Sequence, residues 1–460
     1  MRKNVFLISS LVSSMLLLSA CGGSSDSDDE SYADAYLQFY NGSPNSPTTQ
    51  MLADDELQGS SSYGDVTSLF TFSSGDVDLE LQWEDSDGQD VSVETLTTNM
   101  RDGYKNLIVM AGDFEAPDVV EFQFERSNND GYFYLYGTSL TGSGDSYDLY
   151  MAEHGTPFSS ANFITTLSYT SFSDTDYWDP EDDDTKAWPE GEYVIYLTAP
   201  GEQEVLFESQ EIDFNFTSDY VMMVRNTTGA NDNNLVIDFV LNSTSIEANQ
   251  NVTATSQFRV YSALANDDEL TITLDSTVDE PVTQTLTVGE LSAFTSVDYG
   301  DYQVTATATT MSNYGFDNRL LTLNQGVSKT LLVFENDAQE LTSIEVEDSA
   351  LPQSFEHEVN VANILAEYND VDVYFVRQDE TVESAEYKLT NVSYGDVRTI
   401  TLPNAFYSIV AVYEDALGVS SLLYRSELED FTDDDVVVVA IEAEAESTSG
   451  TGYRASILRH

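Results

Sequence analysis

Cysteine occurs once in the 460 residues and histidine three times, at His154, His357 and His460. A single thiol excludes an intramolecular disulfide and any cysteine-rich zinc or iron–sulfur site. Three scattered imidazoles leave little for a zinc cluster. Basic residues are scarce too: 16 Lys and Arg stand against 82 Asp and Glu, a formal charge of −66. Such a chain repels phosphate, so nucleic acid is excluded as a partner, and an anionic membrane face is an equally poor one. Past the N-terminus no run reaches 18 consecutive apolar residues, which leaves no pattern for a membrane-spanning helix. Also missing are a G-x-S-x-G elbow, a G-x-x-x-x-G-K-[ST] phosphate loop and a dinucleotide fingerprint. With so many carboxylates, acidic neighbours along the chain say nothing about acid–base pairs, and a solvated acidic face is their expected state. What remains is 41% hydrophobic residues, with 27 Tyr and 23 Phe, too rich a mixture for a disordered acidic chain.

The N-terminus carries an address. Arg2 and Lys3 precede an apolar run from Val5 to Leu18 interrupted only by serines. Residues 1–20 therefore read as a signal peptide and are set aside from the fold. Leu18-Ser19-Ala20-Cys21 resembles the bacterial lipobox, with the one cysteine of the chain placed where a thioether-linked lipid is attached. Under the sorting rules that this resemblance implies, Gly22 in place of Asp favours the outer membrane, with the protein facing periplasm or exterior. The implied partner is a lipid bilayer, held through acylated Cys21. Residues 21–32, rich in Gly, Ser and Asp, read as a flexible acidic tether.

The body repeats. Aromatic-Gly-Asp turns occur at Tyr63-Gly64-Asp65, Tyr299-Gly300-Asp301 and Tyr394-Gly395-Asp396, with a degraded copy across Tyr169 to Asp174. Gly supplies the positive φ that such a turn needs, and Asp bonds back to the turn amides. Alternating segments such as Val77 to Trp83, Tyr302 to Ala308 and Tyr407 to Tyr413 read as half-buried strands. Closing segments begin at 104, 220, 330 and 436, a spacing that fits four small sandwich domains. The expected class is all-β, as tandem immunoglobulin-like antiparallel β-sandwich domains over residues 33–125, 131–241, 256–338 and 357–443, with 444–460 as a polar C-terminal tail.

Tyr36-Leu37-Gln38-Phe39-Tyr40-Asn41-Gly42-Ser43-Pro44 resembles the opening of the DUF4397 family, a strand followed by an Asn-x-Ser-Pro turn. Val371-Asp372-Val373-Tyr374 is similar to that family's V-D-V-Y strand, with Ser146 to Tyr150 a looser match. The resemblance implies a repeated β-sandwich module on bacterial secreted or lipid-anchored proteins, with no enzymatic activity attached.

Candidate sites are few. Trp178 and Trp188 flank an acidic loop, with Tyr177 beside them. Exposed, these rings would stack on a sugar or a protein partner; packed inward, they would pin the loop to the sandwich. Inside the loop, Asp179, Glu181, Asp182, Asp183 and Asp184 offer the oxygen ligands that Ca²⁺ takes, without the alternation of an EF-hand. No other cofactor is implied, and solubilising acidity is the plainer reading of that run. His154 and His357 read as surface residues. The sequence thus points to a non-catalytic envelope lipoprotein with a structural, spacer or adhesive role. A carbohydrate- or solute-binding module, meeting an envelope protein or glycan, is the alternative.

Overall fold

The computed structural model describes residues 34–126, 131–180, 184–216, 218–241, 246, 248–264, 269–276, 280–308, 315–444 and 450–460. Leu18, Ser19, Ala20 and Cys21, and likewise Glu181, Asp182 and Asp183, lie outside the described residues.

Among the described residues, apart from two single-turn 3-10 helices, Phe158–Ser160 and Gly229–Asn231, the regular structure is all strand, in eight sheets of four to six strands. The first module has β1 (Ala35–Gly42), β2 (Thr49–Ala53), β3 (Glu56–Ser61), β4 (Asp65–Val66), β5 (Phe70–Phe72), β6 (Gly75–Glu84), β7 (Asp90–Met100), β8 (Tyr104–Ala111) and β9 (Asp118–Glu125). One sheet runs β4-β1-β8-β9, with β5 continuing the β4 edge on β1; the facing sheet runs β3-β2-β6-β7. The alternation in β6 is read out directly, with Val77, Leu79 and Leu81 turned into the core between the sheets.

The second module repeats this plan with β10 (Tyr132–Ser139), β11 (Tyr147–Glu153), β12 (Asn162–Leu167), β13 (Ser173–Asp174), β14 (Trp188–Pro189), β15 (Gly191–Thr198), β16 (Val205–Glu208), β17 (Ile212–Phe214), β18 (Asp219–Asn226), β19 (Leu235–Val240) and β20 (Ala248–Gln250). The third has β21 (Ser256–Ala263), β22 (Leu270–Asp275), β23 (Val282–Leu286), β24 (Thr295–Val297), β25 (Gly300–Ala308), β26 (Gly315–Leu323), β27 (Ser328–Glu335) and β28 (Leu341–Glu347). The fourth has β29 (Glu356–Asn363), β30 (Asp370–Val376), β31 (Tyr387–Ser393), β32 (Val397–Pro403), β33 (Ala405–Glu414), β34 (Ser420–Phe431), β35 (Val437–Ala443) and β36 (Tyr453–Arg459).

Three features depart from the expectation. First, one of the two sheets in each module is mixed. The opening strand of each module lies parallel to its penultimate major strand, β1 to β8, β10 to β18, β21 to β27 and β29 to β35. The chain crosses to the facing sheet and returns beside its own start, which a purely antiparallel sandwich does not require. Second, the stretch expected as a polar tail carries a strand: β36 pairs with β35 along its whole length. Its Tyr453, Ala455 and Ile457 pack on the fourth core and its Leu458 on the seam, where Arg454 and Ser456 are held by Glu442. The third module likewise runs on through β28, to residue 347.

Third, the modules are not independently cored. Each has an internal core, but Tyr40, Leu107 and Val109 of the first pack with Leu140, Val221, Met223 and Val240 of the second. Tyr261, Leu332 and Phe334 of the third pack likewise with Ala362, Val438, Ala440 and Leu458 of the fourth. Strands β8, β18, β27 and β35 thus sit between their own core and a seam. This explains runs such as Val221-Met222-Met223-Val224 and Val437-Val438-Val439, apolar without alternation, as strands buried on both faces are. The product is two module pairs.

The segment joining the third and fourth modules docks on the first pair. Ala230 donates its amide to the Ser349 carbonyl at 3.0 Å. Thr228 Oγ1 donates to the Ala350 carbonyl at 2.8 Å, and Phe355 meets Trp83 and Phe114 edge-on at 5.4 and 5.0 Å. Among the described residues no helix is long and apolar enough to cross a membrane.

Candidate functional site

The most elaborate polar chemistry lies inside the seams. At the first, Tyr40 on β1 donates its hydroxyl to Asp238 Oδ2 on β19 at 2.7 Å. Arg225 on β18 grips the same carboxylate, Nε to Oδ2 at 2.6 Å and Nη2 to Oδ1 at 3.3 Å. Asp238 is fully enclosed and Arg225 is 9% exposed. Burial, then the carboxylate's charge, pushes the Tyr40 phenol well above its ordinary pKa, so it stays a donor.

The second seam has the same parts. Tyr261 on β21 donates to Glu442 Oε1 on β35 at 2.6 Å, and Arg454 on β36 donates from Nε to that oxygen at 2.8 Å. Acid and arginine have exchanged strands between the two seams. Both tyrosines, however, precede the residue whose carbonyl holds the edge turn, so they occupy one register.

Those turns also belong to the seams. The Gly64, Gly289 and Gly395 amides donate to the Asn41, Ser262 and Asn363 carbonyls at 2.7 to 2.8 Å, and Thr170 does the same to Ser139 at 2.9 Å. The degraded copy at Tyr169 is thus a structural equivalent of Tyr63-Gly64-Asp65 and Tyr394-Gly395-Asp396. Tyr299-Gly300-Asp301 is not: it enters β25 at the next corner, with Tyr299 48% exposed. In the third module Gly289, which has no aromatic neighbour, fills the role. Tyr63 donates to the Asn226 carbonyl at 2.7 Å and Tyr169 to Asp118 Oδ2 at 3.0 Å, each crossing the first seam in opposite directions. Tyr394 crosses the second to meet Phe334 at 6.0 Å. Gly64, at φ +72°, leaves no room for a Cβ, which would stand 2.5 Å from the Arg225 guanidinium.

Lys105 on β8 is a buried cation at the first seam, its Nζ donating to the Leu241 carbonyl at 2.6 Å. Burial, with repulsion from Arg126, pulls its pKa from 10.5 to about 7. The folded chain therefore binds fewer protons than the unfolded one between those two values, and stability rises with pH across that window. Lys105→Met is expected to stabilise the first pair at pH 7 by about 1–2 kcal/mol. The advantage should shrink as pH approaches about 10. Melting curves of both proteins across that range check it, and a pH-independent gap would refute it.

The loop candidates fare differently. Trp188 is wholly buried in the second core, its indole N–H donating to the Thr175 carbonyl at 3.4 Å. Of the two arrangements the sequence left open the rings take the packed one: Trp178 meets Trp188 edge-on at 5.4 Å, and Tyr177 and Trp178 lie half-buried over it. Asp184 accepts from the Tyr134 hydroxyl at 3.0 Å, and Asp179 is exposed. His357, expected at the surface, is 1% exposed in the fourth module, where burial pushes its pKa down. His154 is exposed beside Glu211, at the end of β11.

A polar cleft of ≈ 470 Å³ opens where the two pairs meet, with Asn45, Asn226, Thr228, Asp232, Gln353 and Asp434 among its walls. None of its walls is a Cys, His or Lys.

No family model matches the sequence, and no curated protein is detectably similar to it. Among solved structures, the chain is similar to the Bacillus anthracis TIE protein at 10% identity, over 87% of this chain and 67% of that one, with a TM-score of 0.15. It is also similar to a "putative cell adhesion protein" of Bacteroides ovatus ATCC 8483 at 10% identity, over 47% of this chain and 96% of that one, with a TM-score of 0.19. Likeness this distant assigns no function. The class of protein is set by the chain's own architecture, an all-β array of repeated sandwich-like modules.

Proposed function

We propose that the chain is a lipid-anchored protein of the bacterial outer membrane with a structural, spacing or adhesive role and no catalytic one. The observation that carries this reading is the investment of buried charge in the seams. Among the described residues its most enclosed ion pairs, Arg225–Asp238 and Arg259–Asp348, lie where modules meet, and Arg225 and Asp348 also border one cavity of ≈ 220 Å³ where the two module pairs join. Chemistry of that kind fixes the relative position of modules. The lipobox-like Leu18-Ser19-Ala20-Cys21 and the acidic tether supply the anchor, and the resemblance to DUF4397 modules supports the same reading.

The test is metabolic labelling of the full chain with an alkyne-bearing fatty acid in a Gram-negative host, followed by membrane fractionation. Label and outer-membrane recovery are expected for the parent and are lost in Cys21→Ser. An unlabelled parent chain would sink the anchored reading.

A further inference from the structure

We propose that His154, Glu192 and Glu211 form a site for one divalent transition-metal ion of the zinc type on the solvent face of the second module. The three residues are far apart in sequence, and the sheet brings them together. His154 follows the last residue of β11, and its amide donates to the Glu192 carbonyl at 3.0 Å, fixing the two chains side by side. Glu192 lies in β15. Glu211 immediately precedes β17, which is held against β15 through the pairs Glu192 with Asp213 and Tyr193 with Ile212. The scaffold beneath is rigid, since Tyr193 and Ile195 of β15 are sunk in the module's core.

The ligand atoms converge. One imidazole nitrogen and one oxygen from each carboxylate all lie within 4.8 Å of one another. His154 Nδ1 stands 2.5 Å from Glu211 Oε2. The Glu192 and Glu211 carboxyls also share a hydrogen bond. Two carboxylates in contact need a proton or a cation between them. Among the described residues no Lys or Arg forms an ion pair with either; the imidazole of His154 is the nitrogen donor at hand.

The donor set selects the ion. Ca²⁺ and Mg²⁺ take oxygen ligands, whereas one imidazole with two carboxylates suits Zn²⁺ and its neighbours. Three protein ligands leave a fourth position for water, as in open zinc sites. A formal charge of −66 raises the local concentration of any divalent cation without choosing among them. The imidazole makes that choice. Among the described residues this is the one gathering of three or more such ligands, and the aspartates of the acidic loop contribute no nitrogen.

The experiment is calorimetric titration of ZnCl₂ into the chelator-treated full chain in millimolar CaCl₂, with Co²⁺ absorption as a second readout. One saturable site is expected, together with a visible Co²⁺ band of four-coordinate intensity. His154→Ala and Glu211→Gln should each weaken binding by on the order of tenfold or more. Asp184→Asn should leave it unchanged. Because His154 and Glu211 are exposed, circular dichroism should show the variants folded as the parent is. The proposal is overturned by any of three results: no saturable binding, binding indifferent to His154→Ala and Glu211→Gln, or displacement of zinc by calcium at comparable concentration.

Discussion

Asp238→Ala is expected to destabilise the first module pair by about 3–5 kcal/mol, because it strands the Arg225 guanidinium in an enclosed site. Arg225 is 9% exposed and has its Nε and Nη2 on that carboxylate; its remaining named bond runs from Nη1 to the Asn226 carbonyl at 3.2 Å. Tyr40 loses its acceptor in the same step. Tyr40→Phe removes one hydrogen bond and keeps the ion pair, so it should cost about 1 kcal/mol. The comparison separates charge from contact. An Arg225→Met, Asp238→Leu double variant should recover most of the loss, since apolar replacement of a whole buried pair is often tolerated.

Hydrogen exchange is the fitting measurement, because unfolding of a multi-module chain is not one transition. Amides of β18 and of β1 should lose protection together in Asp238→Ala, while those of β25 and β33 stay as in the parent. Unchanged exchange at β1 would mean that the triad stabilises the second module alone and that the seam holds without it.

The repeat was legible in the sequence, and the seam was not. Val77 to Trp83 and Tyr302 to Ala308 announced strands with one wetter face, and they have one, whereas Tyr407 to Val412, read the same way, are buried on both faces. Leu107 to Ala111 and Val437 to Ile441 offered the missing signal, apolar residues at every position. Such runs mean burial on both sides, hence a second layer beyond the module's own core. Nothing local marks Asp238 or Glu442 as buried acids among 82 carboxylates, or Tyr40 and Tyr261 as their partners. Turn chemistry was legible as a motif but not as a position. Tyr299-Gly300-Asp301 copies the letters of the seam turn at another corner, while Thr170 keeps the geometry at φ +52° without a glycine. Of the candidate sites, Trp188 was visible as a residue type, but its direction depends on the β14–β10 pairing. The pairing sets Trp188 opposite Phe133 and turns the indole into the core. His154, Glu192 and Glu211 come from three segments joined only by the register of β15.

The docking of one pair on the other is expected to fail in a Gly229→Ala, Phe355→Ala double variant, with each pair left folded. Gly229 sits at φ +69°, and a Cβ there would stand 2.2 Å from the Ser349 carbonyl oxygen and 2.8 Å from the Ala350 Cα. Backbone cannot swing aside as a side-chain tip can, so the segment after β28 must lift away. That removes the Ala230–Ser349 and Thr228–Ala350 hydrogen bonds. Phe355 is the second anchor, wedged between Trp83 and Phe114 of the first module. Truncating a packed Phe costs about 3–5 kcal/mol when it is fully buried, and proportionately less here, where Phe355 is half-buried. Either change alone leaves the other anchor, so the radius of gyration from small-angle scattering should move little in the single variants and rise clearly in the double one. Protection of β18 and β35 amides should hold in all three, because the pairing of β18 with β10 and β19, and of β35 with β29 and β36, does not involve the altered residues. A double variant as compact as the parent would show that contacts other than these two anchors join the pairs.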